Sequence, residues 1–142
     1  MATYTKYEIA IEKLCKELIY AFGTTDTWKV VIVSDTPNVS TDSTLADVTE
    51  IYGSTQNGYT VGGDSIGFNS TRTGGTITAT GTDIVWTCST SAWPSTGRYF
   101  PLYDDTSAAN DLWCYWDYGA TFGLNVGETM TLDVGSSIWT LT

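Results

Sequence analysis

Histidine is absent from this sequence of 142 residues. Its absence removes the side chain that most often serves as general base, triad member or transition-metal ligand. Cations are nearly as scarce: 6 Lys and Arg stand against 16 Asp and Glu, for a net charge of −10. Their placement is uneven. Residues 1–29 hold four Lys and four acids, whereas from residue 30 onward only Arg72 and Arg98 face twelve acids. A body so poor in cations cannot neutralise phosphates, which excludes nucleic acid as a partner. The 3 cysteines, Cys15, Cys88 and Cys114, have no paired spacing and form no C-x-x-C, so neither a disulfide framework nor a zinc site is expected. They read as free thiols, with Cys88 and Cys114 on apolar strand faces. No apolar run approaches membrane-spanning length, and the N-terminus carries charges with no signal-peptide core. No membrane is expected, the compartment of synthesis is a reducing one, and the sequons at Asn38 and Asn69 carry little weight.

What is present points to strands. Aromatic residues make up 13% of the chain and charged residues only 15%. The stretch from Asp83 to Gly119 concentrates the aromatics in three runs: Asp83–Ser89, Arg98–Asp104 and Asp111–Tyr118. Each is aromatic and β-branched, of strand length, and bounded by Ser, Thr, Gly, Asp or Asn. Alternation places Ile84, Trp86 and Cys88 on one face. It also places Leu112, Cys114 and Trp116 together, opposite Trp113 and Tyr115. The loop Asp105–Asn110 suits an antiparallel connection. Pro101 removes a ladder donor from the second run, which leaves open whether that strand is central or at an edge.

Elsewhere, Trp28–Ser34 reads as a covered strand, Asp64–Ser70 and Thr76–Thr80 as weaker strands with Thr on one face, and Glu128–Val134 with Ser137–Thr142 as a closing hairpin. Leu45–Ile51 suits either a helical turn or the start of a strand. In Asn57-Gly58-Tyr59-Thr60-Val61-Gly62-Gly63, two turn signals bracket one aromatic, which predicts a sharp corner with Tyr59 turned inward. A phosphate loop is ruled out there by the missing Lys, spacing and helix.

The first segment differs from the rest. Thr5 and Glu8 match a capping box, and Tyr7, Ile11, Leu14, Cys15, Leu18, Ile19 and Phe22 form a helical apolar stripe that Gly23 would end. An amphipathic helix over 6–22 is expected. Its stripe of Tyr7, Ile11, Leu14, Leu18, Ile19 and Phe22 must be covered, either by its own body or by a neighbouring subunit. The charge-balanced helix favours a neighbour, because the acidic bodies repel. The expected fold is a single domain over 1–142, mainly β: an antiparallel β-sandwich over 27–142, of which a jelly roll is one form, with one N-terminal α-helix.

No catalytic, cofactor-binding or metal-ligating residue is assigned. The carboxylates Asp104, Asp105, Asp111 and Asp117 flank a Ser-, Ala- and Asn-rich loop and read as a solvated hairpin tip, not as an acid–base pair. Asp104, Asp105, Asn110 and Asp111 gather oxygens but match no calcium loop. Trp93, in the loop SAWPST, is the candidate exposed aromatic contact. With Tyr115 or Trp113 it could form a sugar-stacking platform, although core aromatics remain the leading reading of these residues.

The order of segments resembles small structural proteins of tailed bacteriophages. It is carried by the N-terminal helix, WKVVIVSDTP, LADVTEI, NGYTVGG, DIVWTCST, GRYFPLYDDT, DLWCYWDYG and the terminal hairpin, across nearly the whole chain. NGYTVGG and RYFPLYDDT are the most characteristic pieces. The resemblance implies a virion protein made in the host cytoplasm, and in particular a capsid decoration (cement) protein. The implied partners are the major capsid protein or other virion proteins, and a homo-oligomer, a trimer, is expected with no cofactor and no enzymatic activity. A tail- or collar-associated protein, or a carbohydrate (receptor)-binding module, is the alternative.

Overall fold

A computed structural model describes residues 3–8 and 26–141. The described chain is mainly β. Its ten strands are β1 (Thr3–Lys6), β2 (Trp28–Val30), β3 (Asp64–Ser65), β4 (Asn69–Thr73), β5 (Thr76–Thr80), β6 (Ile84–Thr87), β7 (Gly97–Asp104), β8 (Asp111–Phe122), β9 (Thr129–Leu132) and β10 (Trp139–Leu141). They form three antiparallel sheets: β1-β8-β7-β2-β3, β10-β5-β4 and β6-β9.

The two longest strands, β7 and β8, form the hairpin expected from the aromatic runs, and both lie inside the five-stranded sheet. One face of this sheet carries Tyr4, Phe100 and Trp116, which share neighbouring register positions. Trp86 of β6 stacks on Phe100 at 5.8 Å, which fastens the β6-β9 pair over that face. The opposite face carries Tyr7, Tyr99 and Tyr115, in edge-to-face contact at 5.6 and 5.9 Å. Buried side chains on both faces explain why β7 is apolar almost throughout rather than alternating.

Two irregularities shape this hairpin. Leu102 pairs with Cys114 but Tyr103 with Leu112, so Trp113 is an extra residue on β8. A bulge of this kind alters the direction of its side chain. Trp113 therefore does not simply oppose Trp116, as strict alternation implies. It meets Trp28 at 6.0 Å and Trp139 of β10 at 5.9 Å, tying the second sheet to the first. The second irregularity is Pro101. It sits in an interior strand, where Val31 N–H donates to its carbonyl at 3.1 Å. Proline cannot return that bond, and β2 ends one residue earlier, at Val30. The pairing resumes at Val33 opposite Tyr99. The strand expected over Trp28–Ser34 is therefore regular for only three residues.

Several boundaries differ from expectation. Asp64–Ser70 divides into β3 and the start of β4, and Leu45–Asp47 is a single 3-10 turn. The expected closing hairpin does not form, because β9 pairs with β6 and β10 with β5. At the N-terminus, Thr5 pairs with Tyr115 and Lys6 with Cys114 as part of β1, so the capping box is not made. The alternation Thr-Tyr-Thr-Lys-Tyr suits a strand that can set Tyr4 beside Trp116. Tyr7 is fully buried, and its N–H donates to Trp113 O. The helix assigned to 6–22 thus cannot begin at Lys6, and the backbone turns helical only at Glu8. The rest of that helix, with Ile11, Leu14, Leu18, Ile19 and Phe22, lies outside the described residues.

Trp86 and Trp116 are buried, as their shared faces with apolar neighbours predict. Truncation of either to Ala is expected to cost about 3–5 kcal/mol through lost burial and the cavity left behind. Val85→Ala, on the exposed face of β6, is expected to stay within about 0.5 kcal/mol of the parent. Urea melts of the three variants would check this, and equal midpoints would refute the assignment of faces.

Candidate functional site

The corner at Asn57-Gly58 is anchored by a chain of hydrogen bonds. Gln56 and Tyr59 exchange backbone bonds around a two-residue turn, with φ of 53° at Asn57 and 87° at Gly58. This is the geometry that Asn-Gly favours. A Cβ on Gly58 would lie 2.0 Å from Thr87 O, so a side chain there is excluded by contact as well as by φ. Tyr59 points inward and is fully buried, as expected. Its hydroxyl donates to Glu50 Oε2 at 2.6 Å and accepts Ile32 N–H at 3.2 Å. Glu50 also accepts Gly62 N–H, whose carbonyl in turn accepts the Tyr103 hydroxyl at 2.7 Å. Burial pushes the Tyr59 phenol far above its ordinary value, with the Glu50 carboxylate adding to the shift. A phenol held this way does not ionise at neutral pH and acts as a brace.

Trp93 belongs to this brace. It is 4% exposed, its Nε1–H donates to Asn57 O at 2.9 Å, and it packs edge-on against Tyr59 and Tyr52. The expectation of an exposed contact is therefore corrected: a loop with Ser, Pro and Thr around a Trp looks solvent-facing, but the turn carbonyl at Asn57 gives the indole a buried acceptor. Trp113 is also buried and Tyr115 half-buried, so the sugar-stacking platform proposed on these three rings is not presented.

The carboxylates of the β7–β8 turn are used internally. Asp104 Oδ1 accepts the N–H groups of Thr106 and Ser107, and Asp111 Oδ2 accepts the Ser107 hydroxyl at 2.6 Å. Asp105 pairs with Lys29 at 2.8 Å and accepts the Tyr103 hydroxyl. Among the described residues, no group of three or more acidic or cysteine side chains is arranged to hold a metal ion. At the other end of the hairpin, Arg98 donates to both oxygens of Asp117, at 2.8 and 2.9 Å. The two ends have opposite electrostatic character. Desolvation, together with Asp26 and Asp111, raises Asp104, whereas the Arg98 guanidinium lowers Asp117.

The remaining candidate is a surface rather than a cleft. In the β10-β5-β4 sheet, register pairs Asn69 with Thr80, Thr71 with Thr78, Thr73 with Thr76 and Thr140 with Thr78. Those seven side chains share one face, and none is charged. Ala79 lies on the opposite, buried face together with Ile77 and Trp139. Thr71, Thr73 and Thr140 are exposed, and Thr76, Thr78 and Thr80 are half-buried among their neighbours. The sequence signal was the Thr alternation in TITAT. What it lacked was the pairing that adds Thr71, Thr73 and Thr140 to the same face. Tyr118, 49% exposed beyond the Arg98–Asp117 pair, is the one large aromatic side chain left exposed among the described residues. No helix among these residues is long and apolar enough to cross a membrane. Compared with known protein families, characterised proteins and solved structures, the chain matches none of them.

Two measurements test this account. Asp104→Asn keeps the acceptor for Thr106 and Ser107 but removes the carboxylate charge. Because the folded-state value of Asp104 is raised, its ionisation costs stability above that value, and the cost vanishes below the unfolded value of about 3.9. The variant is therefore expected to melt higher than the parent at pH 7 and equally at pH 3. Asp117→Asn should melt lower than the parent at pH 7, because a lowered folded value contributes stability above the unfolded value, and the difference should shrink as pH falls through the folded one. Separately, Cys88 and Cys114 are buried free thiols. In a Cys15→Ser background, a thiol reagent should label neither until the chain is unfolded, and then both. A non-reducing mass short by two hydrogens would contradict this.

Proposed function

We propose that this chain is a structural protein of a tailed-phage particle, in particular a head decoration protein that binds the major capsid protein or its own copies. The observation that carries the reading is the uncharged threonine face of β4, β5 and β10. On a chain of net charge −10, copies repel one another and other acidic surfaces wherever carboxylates meet. A face of seven neutral side chains is a region where another protein can approach without that cost. The carboxylates and phenols that could have done chemistry are engaged in turns and braces instead, which supports a non-enzymatic role. The resemblance of NGYTVGG and RYFPLYDDT to phage structural proteins supplies the particle.

Within this reading the three sheets form a β-sandwich, with β6-β9 and β10-β5-β4 layered over one face of the five-stranded sheet, and the protein works as a homo-oligomer, a trimer. Tail or collar attachment is the second placement. The burial of Trp93 weighs against the sugar-stacking version of that alternative.

The test is the copy number of the chain in purified particles relative to the major capsid protein, by quantitative mass spectrometry. A decoration protein is present at a number comparable to the capsid subunit, and a tail or collar protein at a small fraction of it. Absence from particles would end the proposal. Thr78→Asp, placing a carboxylate at the centre of the face, should reduce incorporation at least about tenfold while the melting temperature of the purified chain changes little. Unchanged incorporation would move the contact elsewhere.

A further inference from the structure

The β10-β5-β4 sheet ends on β4, whose second edge pairs with no described strand. Among the described strands with an open edge, β4 is the longest. It has five residues, against four in β1, β6 and β9, three in β10 and two in β3. Its ladder with β5 runs without a bulge from the Asn69 pair with Thr80 to the Thr73 pair with Thr76. Gly74 and Gly75 make a two-residue turn at the end of that ladder, with φ of 61° at Gly74. A turn of this length makes its flanking residues, Thr73 and Thr76, a bonded pair, and alternation then directs the N–H and C=O of Thr71 and Thr73 toward β5. The N–H and C=O of Arg72 therefore point out of the sheet at its edge.

The side chain of Arg72 says what suits that edge. Beyond residue 30 the chain has only two cations, Arg72 and Arg98. Arg98 is committed to Asp117 through two bonds. Arg72 is exposed, and its guanidinium donates to Gly74 O at 2.9 Å, with no carboxylate partner among the described residues. It pairs with Ile77, so its side chain leaves the sheet on the side opposite the threonine face. A cation at an open strand edge acts as a filter. An added strand without a carboxylate would leave the guanidinium without a counter-charge. One that carries a carboxylate gains a charge-assisted, two-bond pair. A second copy of β4 brings no such group, because no Asp or Glu lies between Asp64 and Asp83.

We propose that the β4 edge binds an extended acidic segment of a partner protein by strand addition. The segment lies antiparallel, like every ladder among the described strands. Its backbone exchanges two bonds with the N–H and C=O of Arg72, and its carboxylate takes the Arg72 guanidinium. Backbone bonds supply affinity, and the charge pair selects the acidic segment over a neutral or basic one. The contact does not depend on the particle assignment.

The test follows amide hydrogen exchange of the full-length chain by NMR, alone and with the end-blocked peptide Thr-Val-Thr-Glu-Thr-Val-Thr. Peptides with Gln or Lys in place of the Glu are the controls. In the free chain the Arg72 N–H is expected to exchange fast and those of Thr71 and Thr73 slowly. Saturation with the Glu peptide should slow Arg72 exchange at least about tenfold, with the Gln peptide binding about tenfold more weakly and the Lys peptide weaker still. Arg72→Gln, an exposed side-chain change, should bring the Glu and Gln peptides to equal affinity. Arg72→Pro removes the outward N–H without removing a bond to β5, so its melt should stay close to the parent while binding of the Glu peptide is lost. Slow exchange of the Arg72 N–H in the free chain overturns the proposal, since the chain then covers this edge itself. So does a lack of saturable binding by the Glu peptide, equal affinity for all three peptides, or binding that Arg72→Pro leaves unchanged.

Discussion

The molecule depends on the β7–β8 hairpin being covered on both faces. Each other part of the described chain attaches to it: β1 on one side, β2 on the other, β6 through the Trp86–Phe100 stack, and β10 through Trp113 and Trp139. Large aromatic side chains make this possible, since each covers the distance between layers and supplies much of the buried apolar area. The same requirement leaves few aromatic rings for the surface. A protein that recruits its tryptophans to hold layers together has little left for an aromatic platform, and Trp93 illustrates the point by turning inward to a backbone acceptor.

Polar groups follow a parallel logic. Buried hydroxyls and carboxylates are tolerated where each finds a partner. The Glu50–Tyr59–Gly62–Tyr103 chain ties the irregular segment between β2 and β3 to the central sheet through such partners. Gly63 belongs to this arrangement, because a Cβ there would lie 1.9 Å from Val30 O. Acidic residues engaged in this way are not free for catalysis. Among the described residues, the β10-β5-β4 sheet turns an uncharged, mostly hydroxyl face outward.

The proposed contact with another protein rests on the uncharged threonine face, where many weak contacts can add without charge repulsion. The proposed contact follows from one constraint: with only 6 cations in the chain, a partner at this face would be held by shape, hydrogen bonds and apolar contact rather than by salt bridges.

The sequence by itself determined the β class, the hairpin of Arg98–Asp104 with Asp111–Tyr118, the inward corner at Tyr59, the burial of Trp86 and Trp116, and the free state of Cys88 and Cys114. These are local properties, set by alternation, turn chemistry and the redox character of an odd cysteine set. Tertiary structure alone decided which strands pair, because pairing depends on contacts distant in sequence. Hence β9 joins β6 instead of β10, although Gly135-Ser136 resembles a hairpin turn. It also decided the fate of residues 3–7, where a capping pattern competed with a waiting sheet edge and Trp116 supplied the partner that a helix could not. The bulge at Trp113, the interior position of Pro101 and the shared face of Thr71, Thr78 and Thr140 arise in the same way. Each depends on register between strands, which a one-residue shift reverses and which no single segment encodes.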